Sequence, residues 1–189
     1  YSESNAAVSL IPPGMDSSAL NAASENISVK GLHTDFSKLP VYDVVNGEYL
    51  LSSKDSDISI LVIGNALCSY TIKRIQFIQN MLESLDVERT NLYLLDMGKD
   101  VGNEQADAER FAEKNPGVLV ARAADNSDIY YKLFFEVCRT KGKTGGRFPA
   151  ICVLDSNCKP IYTTVEILFD ENELSEILRP YAPASHNGE

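Results

Sequence analysis

The sequence predicts an α/β fold in which helices cover both faces of a mixed central sheet. A near-continuous apolar run at residues 58–63 suits a strand that is buried on both faces. Apolar residues recur at helical spacing directly after it, and strand and helix patterns continue to alternate along the chain. Two strand patterns at 151–165, separated by a short turn, predict an antiparallel hairpin, which makes the sheet mixed.

The first elements predict a β-hairpin followed by a strand and a helix. Apolar residues from Phe36 to Val45 precede an Asn46-Gly47 turn, and residues 49–51 form the expected return strand. The buried strand at 58–63 then leads into a helix that begins after Cys68. Its apolar positions follow a 3-3-4-3 spacing: Ile72, Ile75, Ile78, Leu82 and Leu85.

The second half predicts three more helices and four more strands. Strands are expected at 92–95, 118–121, 151–154 and 161–165, and helices at 104–114, 128–139 and 171–178. Asn115-Pro116-Gly117 ends the first of these helices. Asp170 followed by Glu173 is a capping-box-like pair at the start of the last one.

Residues 1–30 differ in composition from the rest of the chain. They are rich in Ser, Ala and Asn and contain Pro12-Pro13-Gly14, which predicts a flexible linker before a domain at 31–183 and a disordered tail at 184–189. An irregular extension packed on the domain is the alternative. Such a leader is typical of exported or lipid-anchored bacterial proteins, so we expect an extracytoplasmic location. A lipid anchor upstream of residue 1 is an alternative that the sequence leaves open.

Charge and composition exclude several classes of function. The 189 residues carry 27 Asp+Glu against 17 Lys+Arg, a net charge of −10, which disfavours a nucleic-acid partner. No apolar run reaches the ~18 residues of a membrane span, so no transmembrane segment is expected. The four cysteines and two histidines are scattered, and we therefore expect neither a metal site nor a cofactor.

Cys68 is the residue best placed to react. In the tetrad Cys68-Ser69-Tyr70-Thr71 it precedes a predicted helix, so its sulfur would face unpaired backbone N–H groups and the positive end of the helix dipole. Both favour the thiolate, which is the nucleophilic form of cysteine.

The order of these features resembles the thioredoxin superfamily, and within it the exported bacterial TlpA/ResA-type thiol-disulfide oxidoreductases. The resemblance covers residues 36–181: an N-terminal hairpin, a buried strand ending at a cysteine, a Phe148-Pro149-Ala150 step, an Asp-containing hairpin turn and a final helix. It implies a thioredoxin-like fold and, at Pro149, a cis-proline beside Cys68. Phe148 would then offer a backbone edge to an extended substrate, whereas a trans proline opening a strand is the alternative.

The Cys-x-x-Cys motif of the family is degenerate here. Cys68 keeps the nucleophile position, but Thr71 replaces the cysteine that resolves the mixed disulfide. Leu67 replaces the usual aromatic residue and Val62 the buried carboxylate. The candidate binding residues are Ser69 and Tyr70, within this tetrad, and Arg147 and Phe148, directly before Pro149.

A basic loop at 139–147 is implied to border Cys68 in this fold. It carries four cations in nine residues of an acidic protein: Arg139, Lys141, Lys143 and Arg147. Its positive field would stabilise the thiolate and attract an acidic partner. The alternative is a basic turn that is merely solvated.

The other three cysteines are expected to play lesser parts. Cys152 lies within an apolar strand and is predicted to be a buried small hydrophobic residue. Cys158 lies in the hairpin turn, far from the predicted site. Cys138 is the possible second thiol and the internal partner left open for Cys68.

Two functions of different classes follow. The first is thiol-disulfide exchange with protein thiols or disulfides through Cys68 alone, with release by an external thiol reductant. The second is a redox-inactive thioredoxin-fold module that binds a protein or peptide partner. A peroxidase is disfavoured, because Leu61 and Asn65 occupy the positions where peroxiredoxins carry Pro and Thr or Ser.

Overall fold

A computed structural model describes residues 29–98, 104–122 and 128–184. The predicted linker, apart from its last two residues, and the predicted tail after residue 184 lie outside the described residues. The strands are β1 (Pro40–Asp43), β2 (Gly47–Leu50), β3 (Ile58–Gly64), β4 (Thr90–Asp96), β5 (Leu119–Arg122), β6 (Ala150–Asp155) and β7 (Pro160–Val165). The helices are α1 (Ser69–Ser84), α2 (Glu104–Lys114), α3 (Ile129–Thr140) and α4 (Glu171–Leu178).

The described strands form one seven-stranded sheet in the order β2-β1-β5-β4-β3-β6-β7. β3 and β4 are parallel, as are β4 and β5. The N-terminal hairpin joins β5 in antiparallel fashion, and β6 and β7 are antiparallel at the other edge. The predicted mixed sheet with an N-terminal hairpin extension is confirmed.

Both faces of the sheet are covered, because β3 is buried along all seven of its residues. Leu61 and Ile63 point into an apolar cluster shared with α3. Ile60 and Val62 point into a second cluster, on the opposite face, which includes residues of α1, α2 and α4. This alternation explains why the strand has no polar face in the sequence.

The N-terminal hairpin departs slightly from its prediction. Its turn occupies residues 44–46, and Gly47 opens β2 with φ at +84°, a backbone angle that suits glycine. The carboxylate of Asp43 accepts hydrogen bonds from the amides of Val45 and Asn46 at 2.7 and 2.9 Å. Leu51, expected in the return strand, instead begins a short 3₁₀ helix that buries its side chain.

Helix α4 begins as the sequence predicts. The Asp170 carboxylate accepts hydrogen bonds from the amides of Asn172 and Glu173, which is the role of an N-cap. The side chain of Glu173, however, accepts a hydrogen bond from the Tyr162 hydroxyl at 3.0 Å. This contact ties the start of α4 to the edge strand β7.

Candidate active site

The candidate site lies at the carboxyl end of β3, where the chain turns into α1. The Cys68 amide donates to the carbonyl of Asn65 at 3.0 Å, and the Asn65 side chain accepts from the Leu67 amide at 2.8 Å. These two bonds fold residues 65–68 into a tight turn. The turn places Cys68 directly before the first residue of the helix.

Cys68 is the N-cap residue of α1. Its backbone is extended, with φ at −77° and ψ at 119°, and its carbonyl accepts the Ile72 amide at 3.0 Å. Cys68 is half-buried as a residue, and its thiol makes no capping hydrogen bond within the described residues. Ser69 and Tyr70 are exposed in the first turn, so the sulfur lies at a helix N-terminus that is open to solvent.

Thr71 is fully buried beneath this turn. Its hydroxyl accepts a hydrogen bond from the Asn65 amide at 3.3 Å. A Cβ placed on Gly64 would lie 2.5 Å from the Thr71 Oγ1 and 3.3 Å from the Cβ of Pro149. Gly64 therefore allows Thr71 and Pro149 to pack against the end of β3.

Pro149 is buried and directly precedes β6, the strand that pairs with β3. Ala150 pairs with Ile63, which places Pro149 next to Gly64, and the Phe148–Pro149 peptide bond is cis. The Pro149 carbonyl accepts a hydrogen bond from the Glu166 amide at 3.0 Å. The backbone amide and carbonyl of Phe148 form no backbone hydrogen bond within the described part of the chain.

Arg147 connects the basic loop to the start of α1. Its guanidinium donates to the Tyr70 hydroxyl at 3.2 Å and lies 5.0 Å from the centroid of the Tyr70 ring. This is a hydrogen bond combined with a cation–π contact between two exposed residues. The loop therefore contacts the helical turn that follows Cys68.

Asp96 is a site residue that the sequence analysis missed. It ends β4 opposite Gly64, and its buried carboxylate accepts a hydrogen bond from the Ala66 amide at 3.1 Å. Arg122 lies 3.8 Å from the same carboxylate. The signal available in the sequence was an acidic residue directly after a buried apolar strand, since polar side chains there have to find partners.

A second missed pair joins α1 to the segment after β7. Arg74 forms two hydrogen bonds to the Glu166 carboxylate, at 3.0 and 2.8 Å, and both side chains are largely buried. The guanidinium also lies 3.6 Å from the centroid of the Phe169 ring. The two residues are 92 positions apart, so no local pattern could have paired them.

All four cysteines lie in the described part of the chain and are free thiols. Cys138 and Cys152 are both 0 % exposed, and burial raises the pKa of each thiol. Burial also raises the pKa of the half-buried Cys158, with the carboxylates of Asp155 and Asp35 adding to the effect. Ile58 pairs with Asp155, so the turn with Cys158 lies at the end of β3 opposite Cys68.

Cys138 lies in the apolar cluster that α3 shares with the sheet, on the face opposite the buried side of α1. Within the described ranges, no group of three or more His, Cys, Asp or Glu side chains is arranged to hold a metal ion. No described helix has both the length and the apolar character that a bilayer crossing requires.

No protein-family model and no curated protein matches the chain. Solved structures are similar to it in fold at low sequence identity. A thioredoxin-like protein from Aeropyrum pernix is 10 % identical with a TM-score of 0.56, and the alignment covers 87 % of this chain and 99 % of that one.

Two further structures are thiol-disulfide oxidoreductases by description. The thioredoxin domain of an oxidoreductase from Bacteroides vulgatus is 11 % identical with a TM-score of 0.53, covering 77 % of this chain and 93 % of that one. A secreted disulfide oxidoreductase from Mycobacterium tuberculosis, homologous to Escherichia coli DsbE, is 10 % identical with a TM-score of 0.52, covering 76 % and 96 %. Identities this low establish the architecture, and the chain thus has a thioredoxin-like fold.

Proposed function

We propose that this protein performs thiol-disulfide exchange with protein substrates through Cys68 alone. The observation that carries the proposal is the position of Cys68, a half-buried residue, at the N-cap of α1. The first backbone N–H groups of a helix have no intrahelical partners and, with the helix dipole, stabilise negative charge that is placed beside them. The other three thiols have pKa values raised by burial and are therefore poorer nucleophiles at neutral pH.

The exchange takes two steps. The Cys68 thiolate attacks one sulfur of a substrate disulfide, forms a mixed disulfide with it and expels the other sulfur as a thiolate. An external thiolate then attacks the substrate sulfur of that mixed disulfide and regenerates the Cys68 thiolate. The substrate ends as a disulfide with the external thiol, so electrons and sulfur atoms balance.

External resolution is supported by what surrounds Cys68. Thr71 stands where a dithiol enzyme has its second cysteine, and its buried hydroxyl is hydrogen-bonded to Asn65. Cys138, the internal partner left open by the sequence, is buried in the core beside α3. A disulfide between Cys68 and Cys138 would require the thiol of Cys138 to leave that core.

An extended substrate segment fits the backbone edge at Phe148. Its amide and carbonyl are without backbone partners among the described residues, and Pro149 next to it packs on Gly64. The TlpA/ResA-type resemblance and the secreted oxidoreductase of similar fold favour protein disulfides outside the cytoplasm as substrates. An exported location is part of this proposal.

The test follows adduct formation by mass spectrometry. The protein is mixed at pH 7 with a peptide whose cysteine carries 2-nitro-5-thiobenzoate as a mixed disulfide, and glutathione is then added. We expect a peptide adduct on Cys68 that persists until glutathione releases it. Cys68→Ser should form no adduct, whereas the matched control Cys158→Ser should react like the wild type.

Two outcomes contradict the proposal. Failure of Cys68 to form an adduct would remove the nucleophile. Release of the peptide without added thiol, lost in Cys138→Ser, would show internal resolution instead of the single-cysteine cycle.

A redox-inactive binding module is the second candidate function. The observation that favours it is the absence of a second thiol at Thr71, whose hydroxyl is fully buried. Under this alternative Cys68→Ser captures partners as well as the wild type does, and no disulfide is reduced by either protein.

A further inference from the structure

We propose that the surface around Cys68 selects substrate segments in which an apolar side chain lies next to Asp or Glu residues. The inference rests on the proposed function for the identity of the reacting thiol, and it adds the chemical class of the substrate. Two surface regions carry it. The apolar rim consists of Leu67, Tyr70, Ile167 and Leu168, and the basic loop spans residues 139–147, of which the first two end α3.

The exposed hydrophobic side chains of the apolar rim lie at the end of the sheet where β3 ends, since Val165 pairs with Ala150 and Ala150 pairs with Ile63. Leu67, directly before Cys68, is 67 % exposed, and Ile167 is 75 % exposed. Tyr70 and Leu168 are less exposed but also face solvent. Large contiguous apolar patches on a protein surface mark sites of interaction.

Observed contacts bring the two halves of the apolar rim together. Tyr70 and Arg74 lie one turn apart on α1, and Arg74 holds Glu166 through two hydrogen bonds. The Glu166 amide donates to the Pro149 carbonyl, and Ile167 and Leu168 follow directly. The apolar rim is therefore anchored to both α1 and Pro149.

The basic loop supplies charge on one side of this rim. Arg139, Lys143 and Arg147 are exposed and form no ion pair within the described residues. No acidic residue occurs between Arg139 and Leu154. Arg147 contacts the Tyr70 ring and thereby joins the basic loop to the apolar rim.

Two carboxylates on elements that adjoin the basic loop form hydrogen bonds to neutral groups. Glu136 on α3 accepts hydrogen bonds from the backbone and hydroxyl of Thr34. Glu173 accepts from the Tyr162 hydroxyl and lies near Lys141, whose pKa burial lowers. Because Lys141 is partly buried and already lies near Glu173, it is not among the residues that we propose to contact the substrate.

Charge complementarity then identifies the occupant. The chain as a whole carries −10, so acidic proteins are repelled by most of its surface and attracted only where cations gather. A positive region next to a reactive centre raises the local concentration of an acidic partner and its association rate. The apolar rim adds affinity for an apolar side chain that would otherwise be exposed to water. A substrate segment with an apolar residue next to acidic residues can contact the apolar rim and the basic loop at the same time.

The test compares three peptides of equal length. Each carries leucine next to a central cysteine activated with 2-nitro-5-thiobenzoate, and flanking positions occupied by Glu, Gln or Lys. We expect adduct formation on Cys68 to be fastest for the Glu peptide and about tenfold slower for the Lys peptide at low salt. Raising the salt to 0.5 M should reduce that ratio, since surface charges are then screened.

Substitutions in the basic loop test whether its cations cause the preference for the Glu peptide. The double variant Arg139→Gln/Lys143→Gln should bring the ratio of the Glu and Lys rates to within about threefold. The matched control Lys114→Gln, an exposed lysine at the end of α2 and thus at the opposite end of the sheet, should leave the ratio unchanged. Equal rates for all three peptides, or a ratio that survives in the double variant, would overturn the inference.

A binding measurement separates this inference from the proposed function. Cys68→Ser protein is titrated into fluorescent versions of the peptides in which serine replaces cysteine. Preference for the Glu peptide without any adduct on Cys68 in the wild type would retain the partner class and reject the exchange chemistry. Equal affinities combined with double-variant-sensitive binding to anionic lipid vesicles would overturn the inference in favour of a membrane surface.

Discussion

The close packing at Gly64 is the residue-scale feature on which the candidate site depends. Gly64 ends β3, and both Thr71 of α1 and the buried Pro149 approach it where a side chain would stand. Cys68 itself is held by the turn that begins one residue later. A substitution at Gly64 would therefore affect the position of the Cys68 thiol indirectly, by displacing the residues that pack against Gly64.

Gly64→Ala is predicted to destabilise the protein by about 1–3 kcal/mol, because the added methyl group overpacks a filled region. The new Cβ would lie 2.5 Å from Thr71 Oγ1 and 2.9 Å from Thr71 Cγ2. Urea unfolding followed by circular dichroism measures the loss. The double variant Gly64→Ala/Thr71→Ala should lose less than the sum of the two single variants, since it removes both contacts.

Gly146→Ala is the matched control for that prediction. No atom lies within 4 Å of a Cβ built on Gly146, in the basic loop. Its free energy of unfolding should change by less than about 0.5 kcal/mol. Equal losses at the two glycines would show that close packing at Gly64 is not the cause.

At the scale of elements, the site is assembled from β3, α1 and the segments on either side of β6 and β7. β3 and β6 pair side by side, so residues distant in sequence meet at one end of the sheet. The ion pair between Arg74 of α1 and Glu166 after β7 connects the helix to this end of the sheet. The short 3₁₀ helix Glu166–Leu168 is held between that ion pair and Pro149.

Arg74→Lys is predicted to cost about 1–3 kcal/mol of stability, because an ammonium group cannot replace a bidentate pair that also stacks on an aromatic ring. Arg74 and Glu166 are largely buried, so solvent screens the pair only in part. Urea unfolding again measures the effect. Arg110→Lys changes a guanidinium that is 62 % exposed in its pair with the less exposed Asp107, and stability should change by less than about 0.5 kcal/mol. A loss at Arg110→Lys as large as that at Arg74→Lys would contradict this account.

For the whole molecule, the buried phenols make stability depend on alkaline pH. Burial raises the pKa of Tyr93 to about 12 and raises the pKa values of Tyr49, Tyr130 and Tyr162 above their usual range. An unfolded tyrosine has a pKa of about 10. Between about pH 10 and the raised values the folded state holds more protons than the unfolded state, so stability falls as the pH rises.

We therefore expect the free energy of unfolding to begin to fall above about pH 8.5, where the thiols of Cys138, Cys152 and Cys158 titrate in the unfolded chain, and to fall more steeply above about pH 10. Each affected tyrosine contributes about 1.4 kcal/mol per pH unit. Urea midpoints at pH 8, 9, 10 and 11 measure the slope. Tyr93→Phe removes one such group and should show a shallower decline; a midpoint that is constant up to pH 11 would contradict the expectation.

Much of the fold follows from local patterns. The predicted ranges of helices 104–114 and 171–178 match α2 and α4, because breakers and caps mark their ends in the sequence. The predicted return strand of the N-terminal hairpin is one residue too long, because it includes Leu51. An apolar residue alone does not show whether a strand continues or a 3₁₀ helix begins.

The candidate site could be predicted only in part. Cys68 at a helix start is visible locally, because a buried strand, a turn and an amphipathic helix follow one another in the chain. Asp96 could not be assigned to the site by the same reasoning. Its hydrogen bond to the Ala66 amide depends on parallel pairing between β3 and β4, which no local pattern specifies.

The sequence by itself determined the alternation of strands and helices, the mixed sheet and the placement of one cysteine at a helix N-terminus. These features depend on periodicity, turn residues and capping, which act over a few neighbouring residues. Only the tertiary structure decided that Thr71 and Pro149 meet at Gly64, that Arg147 reaches Tyr70 and that Arg74 holds Glu166. Those contacts join residues up to 92 positions apart, and they arise because strand pairing brings distant segments to the same end of the sheet.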